Sequence, residues 1–101
     1  MINWQRILDL GIEINQLEMV KLAVKNGANA NHDWALGIAA FNGHFDIVKY
    51  LIEKGADINN DKGYVLGSAI YFNNEEMIIY SLDCMLYNEL IKTQDWGNTD
   101  D

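Results

Sequence analysis

His32, His44 and Cys84 are the only imidazoles and the only thiol in the chain. A histidine acts as ligand, base or acid only where other ligands or a nucleophile converge on it. His44 stands alone after Gly43, and His32 has one acid beside it, Asp33. With a single cysteine and no His-x-x-His or Cys-x-x-Cys spacing, a zinc site lacks its ligands. Cys84 lies in the run Leu82-Asp83-Cys84-Met85-Leu86, where a thiol serves as a small buried hydrophobe more readily than as a nucleophile. The pairs Glu75-Glu76 and Asp100-Asp101 are adjacent in sequence, and adjacent residues of a helix do not face each other. Glu75 and Glu76 instead suit the first turn of a helix, where the dipole favours acids. Asn59-Asn60-Asp61-Lys62-Gly63 has the polar character of a calcium loop, but its twelfth position is Ile70 and not an acid. No Gly-x-x-x-x-Gly-Lys-Ser/Thr run is present to cradle a phosphate. The residues assemble no catalytic constellation, so the chain is expected to be no enzyme and to need no metal or cofactor.

The composition favours a scaffold. Half of the 101 residues are apolar, enough for one small domain with a modest core. Proline is absent, which removes collagen-like and Pro-rich readings. No run of about 18 uncharged apolar residues occurs, so no membrane span is expected. The start, Met1-Ile2-Asn3-Trp4-Gln5-Arg6, lacks the basic and apolar regions of a secretory signal. A lone thiol suits a reducing, cytoplasmic setting. Fifteen acids against seven bases give a net charge of -8. The bases, from Arg6 to Lys92, are scattered, whereas a phosphate backbone needs them clustered. A nucleic-acid or anionic-membrane partner is not expected. A protein with a neutral or basic surface suits the field, although an acid excess that serves only solubility explains the same charge.

The chain repeats itself. Met19–Asp33 and Ile47–Asp61 share Val20/Val48, Lys21/Lys49, Gly27/Gly55, Ala28/Ala56, Asn31/Asn59 and Asp33/Asp61. Trp34–Ala40 and Tyr64–Ile70 share Leu36/Leu66, Gly37/Gly67 and Ala39/Ala69. The two comparisons interlock into three copies, about 4–33, 34–61 and 64–92. In the middle copy, Leu36–Phe41 reads as a short helix whose small residues let a neighbouring helix approach. Asn42-Gly43 is a turn. Phe45–Lys54 is a second helix with Phe45, Val48, Leu51 and Ile52 on one face. Gly55, after basic Lys54, fits the left-handed position that ends a helix. Such a pair cannot bury its apolar side alone, so the copies must stack.

These residues resemble the ankyrin repeat. The match is the ordered stretch Ala39-Ala40-Phe41-Asn42-Gly43-His44 through Gly55-Ala56-Asp57-Ile58-Asn59. The first copy keeps Val20-Lys21-Leu22 and Gly27–Asn31, and the third keeps the front half. The resemblance implies an all-α ankyrin-repeat solenoid of about three helix–turn–helix units with shortened β-hairpin loops, and for His44 a structural hydrogen bond to turn backbone. The usual unit has about 33 residues and opens on Thr-Pro-Leu-His. Here that stretch is Trp34-Ala35-Leu36-Gly37 and Tyr64-Val65-Leu66-Gly67, and the fingers are short. This style is similar to the ankyrin proteins encoded in large numbers by giant DNA viruses. Both ends read as caps. The first copy places Asn3, Gln5, Arg6, Asp9 and Glu13 toward water. In the third, Met85 stands where Gly55 would recur, so a closing amphipathic helix is expected from about Glu75 to Lys92, with Ile78, Leu82, Met85, Leu86, Glu89 and Leu90 along it. Residues 93–101 are expected to be a frayed acidic tail.

The resemblance implies partner contact at the finger tips and the open side of the first helices. Carried onto this sequence, those positions are His32, Asp33, Trp34, Asp61, Lys62 and Tyr64, with Phe41, Asn42, Tyr71 and Phe72 at the helix ends. Aromatic residues on a rigid surface are common interface anchors. Trp34 and Tyr64 also read as lids packed under the short fingers, whereas Phe41, Tyr71 and Phe72 are expected at the surface. Two functions follow: a non-catalytic protein-interaction module, adaptor or blocker, using this groove; or a structural protein that self-associates by stacking through its end repeats.

Overall fold

The computed structural model describes residues 1–32, 34–59 and 63–98, the last of these, from 88 onward, by backbone alone. Six helices follow one another: α1 (Trp4–Glu13), α2 (Leu17–Lys25), α3 (Ala35–Phe41), α4 (Phe45–Glu53), α5 (Tyr64–Tyr71) and α6 (Glu75–Asn98). They pair as α1/α2, α3/α4 and α5/α6, one pair per sequence copy, and no strand occurs among the described residues. The first helices stack in the order α1, α3, α5, and the second helices sit behind them.

Local sequence sets each boundary. The Asn3 side chain accepts hydrogen bonds from the backbone N–H groups of Gln5 and Arg6 at 3.1 and 3.2 Å, a capping arrangement that starts α1. Both inter-helix turns flanking the middle copy use left-handed residues, Asn15 and Asn73, as Gly43 does in the middle copy. Helix α4 stops at Glu53, and Gly55, two residues on, has a φ of 108°, where a side chain is unwelcome. The Ala56 N–H then donates to Leu51 O at 2.9 Å. The third copy has no such stop, and α6 runs on to Asn98. It passes Lys92, where the sequence puts its end: the chain has no proline, and the next glycine, Gly97, stands only in its last turn.

One core runs through all three pairs. Leu8 and Ile12 in α1, Val20 and Ala23 in α2, Leu36, Ala39 and Ala40 in α3, and Ile47, Val48 and Leu51 in α4 are buried, with Val65, Ala69 and Met77 closing it. Periodicity finds Val48 and Leu51 but passes over Ile47, which is fully buried. Its burial turns the inner face of α4 by one residue and leaves Phe45 and Ile52 half-buried at the margin. In α6 the same turn puts Met77 and Ser81 inside and leaves Leu82 and Leu86 exposed; the side chains of Glu89 and Leu90 lie outside the described set. Ser81 Oγ donates to Met77 O at 2.8 Å, which satisfies a buried hydroxyl.

Side-chain amides tie the loops down. Gln5 Oε1 accepts from the Asn29 N–H at 2.9 Å, and Asn31 Oδ1 accepts from the Asp57 N–H at 3.0 Å. Asn29 and Asp57 occupy equivalent positions; the first hangs from a side-chain amide of its own unit, and the second from a side-chain amide of the unit before it. The shared Asn31/Asn59 and the Asn29/Asp57 pair therefore have a local reason. Asn31 N–H donates to Asn29 Oδ1, and Asn59 N–H to Asp57 Oδ1, each at 2.9 Å.

Candidate protein-binding groove

Three hollows lie end to end along the open side of the first helices. The first, about 160 Å³, is lined by Asp9, Ile12, Glu13, His32, Trp34, Ala35 and Ile38. The second, about 240 Å³, is lined by Trp34, Gly37, Ile38, Phe41 and Tyr64. The third, about 490 Å³, is lined by Phe41, Gly63, Tyr64, Gly67, Ser68 and Tyr71. Neighbouring hollows share walls: Trp34 and Ile38, then Phe41 and Tyr64. They form one groove, acid-rimmed at Asp9 and Glu13 and apolar beyond.

The glycines of the repeated Leu-Gly pair line the apolar hollows. A Cβ added at Gly67 would meet nothing within 4 Å. Gly67 is thus not where a neighbouring helix packs; Ala69 does that in α5, as the small residues Gly37, Ala39 and Ala40 do in α3, where all three are buried. A glycine in the middle of a helix costs stability, and here its effect is to bare helix backbone between aromatic walls.

Trp34 and Tyr64 do not pack as lids. They are 66% and 52% exposed, because the inward positions at the starts of α3 and α5 are taken by buried Ala35 and Val65. Phe41 and Tyr71 are exposed as expected, Tyr71 by 83%. Phe72 is set apart from the groove. Its ring stands edge-on to Phe45 and Tyr71, at centroid distances of 5.9 and 5.2 Å, and covers Gly43, whose added Cβ would lie 3.2 Å from it. Phe72 therefore ties the third copy to the turn of the second. Asn42, exposed in that turn, also lies outside the three hollows. His32 joins the groove at its acidic end; Asp33, Asp61 and Lys62 lie outside the described residues. The sequence reading missed Asp9, Gly37, Ile38, Gly67 and Ser68. The signal for the two glycines was present, in Leu36-Gly37 recurring as Leu66-Gly67.

His44 acts through its backbone and not its ring. Its N–H donates to Ala39 O at 2.8 Å, and its carbonyl accepts from Ile47 and Val48 at 3.1 Å; the side chain makes no capping bond. Cys84 is half-buried beside Tyr80. Burial foremost, then the neighbouring Cys84, pushes the Tyr80 hydroxyl up to about 12. Burial likewise raises the Cys84 thiol above its ordinary value, with Tyr80 acting against the rise. A protonated thiol is a poor nucleophile. Among the described residues, no three His, Cys, Asp or Glu side chains gather as metal ligands, and no helix is long and apolar enough to cross a membrane.

Comparison with known proteins agrees with this architecture. A family model of ankyrin repeats in three copies matches residues 8–95. An ankyrin repeat protein of Acanthamoeba polyphaga mimivirus is 42% identical over 52 residues, 52% of this chain and 11% of that protein. The Notch-regulated ankyrin repeat-containing protein of Homo sapiens is 54% identical over 55 residues, 50% of this chain and 48% of that protein. Alpha-latrotoxin-Lt1a of Latrodectus tredecimguttatus is 54% identical over 35 residues, 33% of this chain and 2% of the toxin. The chain thus spans less than half the length of each of these relatives. No solved structure matches it. Three stacked helix pairs, left-handed turns at equivalent positions and a family match over most of the sequence lead to one conclusion: the chain belongs to the ankyrin-repeat family.

Proposed function

We propose that the chain is a non-catalytic adaptor or blocking module that holds a protein partner in the groove of its first helices. Ankyrin repeats are in general protein–protein interaction modules, and the groove gives this one a specific surface. The observation that carries the reading is the open, glycine-lined trough between Trp34, Phe41, Tyr64 and Tyr71. Rigid aromatic walls with bare backbone between them suit apolar side chains of a partner. The acid rim at Asp9 and Glu13 and the net charge of -8 favour a neutral or basic partner surface over nucleic acid or an anionic membrane. His32, Trp34, Phe41, Tyr64 and Tyr71 are its contacts; Asn42, Phe72, Asp33, Asp61 and Lys62 are placed at its margins by sequence. A reducing, intracellular setting fits the lone half-buried thiol.

The test is affinity recovery from the native source with the intact chain and with Phe41→Ala plus Tyr71→Ala. The double variant is expected to lose the specific partner while its circular dichroism is unchanged. Equal recovery of the same protein by both would overturn the groove assignment. A second reading, self-association through the end repeats, is favoured by a separate observation: Ile79, Leu82 and Leu86 are exposed on the outer side of α6.

A further inference from the structure

Positions that form repeat-to-repeat contacts inside the chain are occupied by exposed apolar residues at its two ends. In repeat register, Ile12, Ala40 and Ile70 are equivalent. Ile12 and Ala40 are 1% and 0% exposed, since a first helix follows each of theirs; Ile70, in the last first helix, is 58% exposed. Lys21, Lys49 and Ile79 are likewise equivalent on the second helices. Lys21 Nζ lies 5.9 Å from the ring centroid of Tyr50, and Lys49 Nζ lies 5.5 Å from that of Tyr80. This position therefore faces the following repeat. In the last repeat it is Ile79, which continues through Leu82 and Leu86 at i, i+3 and i+7 as an exposed apolar stripe. A repeat that ends an array normally carries a polar outer face; among the described side chains of α6, this stripe is exposed and apolar.

The other end is complementary. Tyr50 and Tyr80 receive the lysine of the preceding repeat, and their equivalent in the first repeat is Leu22, 49% exposed. Met19 stands where Ile47 and Met77 are buried, and is itself only half-buried. Inside the chain the pair across the interface is lysine on tyrosine. At the two outer faces of these three repeats both members change together, to isoleucine on one face and leucine on the other. A cation–π pair becomes an aliphatic pair.

We propose that the chain stacks head to tail on a second copy of itself, with Ile79 and Leu82 of one copy seated on Leu22 and Met19 of the next. The occupant is the chain's own first repeat, because that repeat carries the matching apolar residue in the register the internal interfaces use. The inference deepens the self-association reading and is independent of the groove. Such a contact joins unlike faces, so it is not used up at the dimer and adds copies as concentration rises.

Sedimentation of the full chain, from micromolar to millimolar and in salt that screens its net charge, tests the proposal. The weight-average mass is expected to climb past that of a dimer. Ile79→Glu and Leu22→Glu change exposed side chains; each alone is expected to be monomeric and fully helical by circular dichroism. Mixed in equal amounts they are expected to restore association, stopping at the dimer, since one intact face remains on each. A wild-type monomer throughout would overturn self-association and register together. A Leu22→Glu variant that still associates would leave self-association standing and overturn the head-to-tail pairing. Loss of association in Phe41→Ala plus Tyr71→Ala would place the interface in the groove and overturn it as well.

Discussion

Gly67→Ala should make the protein more stable. The residue lies inside α5, where exchanging glycine for alanine lowers the backbone entropy lost on folding by about 0.8–1.0 kcal/mol. The added methyl meets no atom within 4 Å, so no packing cost offsets the gain. For a domain of this size, about 1 kcal/mol moves the thermal midpoint by about 4–8 °C. Gly55→Ala is the matched control. Its methyl also meets nothing within 4 Å, yet its φ of 108° forces an L side chain into a region costing about 1–3 kcal/mol, so its midpoint should fall. Thermal melts followed by far-ultraviolet circular dichroism read both. A loss of stability in Gly67→Ala would mean that this side of α5 is packed and not open, and the groove would go with it. The same variant should weaken partner binding, so that a more stable protein binds less well.

Leu51→Ala removes a fully buried side chain at the centre of the core and should cost about 2–5 kcal/mol; urea unfolding checks it, and a cost below about 1 kcal/mol would contradict the central place of α4. Gln5→Ala severs the tie from Gln5 to Asn29 and should cost no more than about 1 kcal/mol at an exposed site, with amide exchange rising at Asn29 before elsewhere. Alkali should destabilise the fold. Tyr80 and Cys84 are neutral when protonated, and both hold the proton more tightly in the fold than in the unfolded chain. From the ordinary thiol value of 9.0 and phenol value of 10.0 upward, the unfolded chain releases protons that the fold retains, so stability is complete below that window and is lost as pH rises toward about 12. Urea midpoints between neutrality and pH 11 should fall accordingly, and replacing Tyr80 by phenylalanine should flatten the phenol's share of the slope.

Much of the fold is legible in sequence because its signals are local and repeated. Gly55 after Lys54, and Asn42-Gly43 between apolar runs, mark ends and turns by backbone preference alone. Burial was less legible. Ile47 and Met77 are inside and Leu82 outside because of how one helix pair rotates against the next, which no single helix encodes. Trp34 and Tyr64 misled for the same reason: an aromatic residue before a buried helix can turn either way, and Ala35 and Val65 occupy the inward place. The groove was half legible. Its aromatic walls could be found from their positions in the repeat, but Gly67 bares the backbone only because nothing packs on that side. His44 shows the reverse, a residue whose position mattered and whose imidazole did not.

Contacts between helices run from each pair to its immediate neighbour, α1 to α3, α3 to α5 and α2 to α4. Considered as a matter of time, such a chain has no single lifetime. The outer pairs are each held on one side and the middle pair on both, so openings begin at the ends and the amides of α3 and α4 exchange last. A partner that grips the groove across Trp34 and Tyr64 would bridge the slowest segment to one of the fastest, lengthening the life of the last repeat far more than that of the middle one.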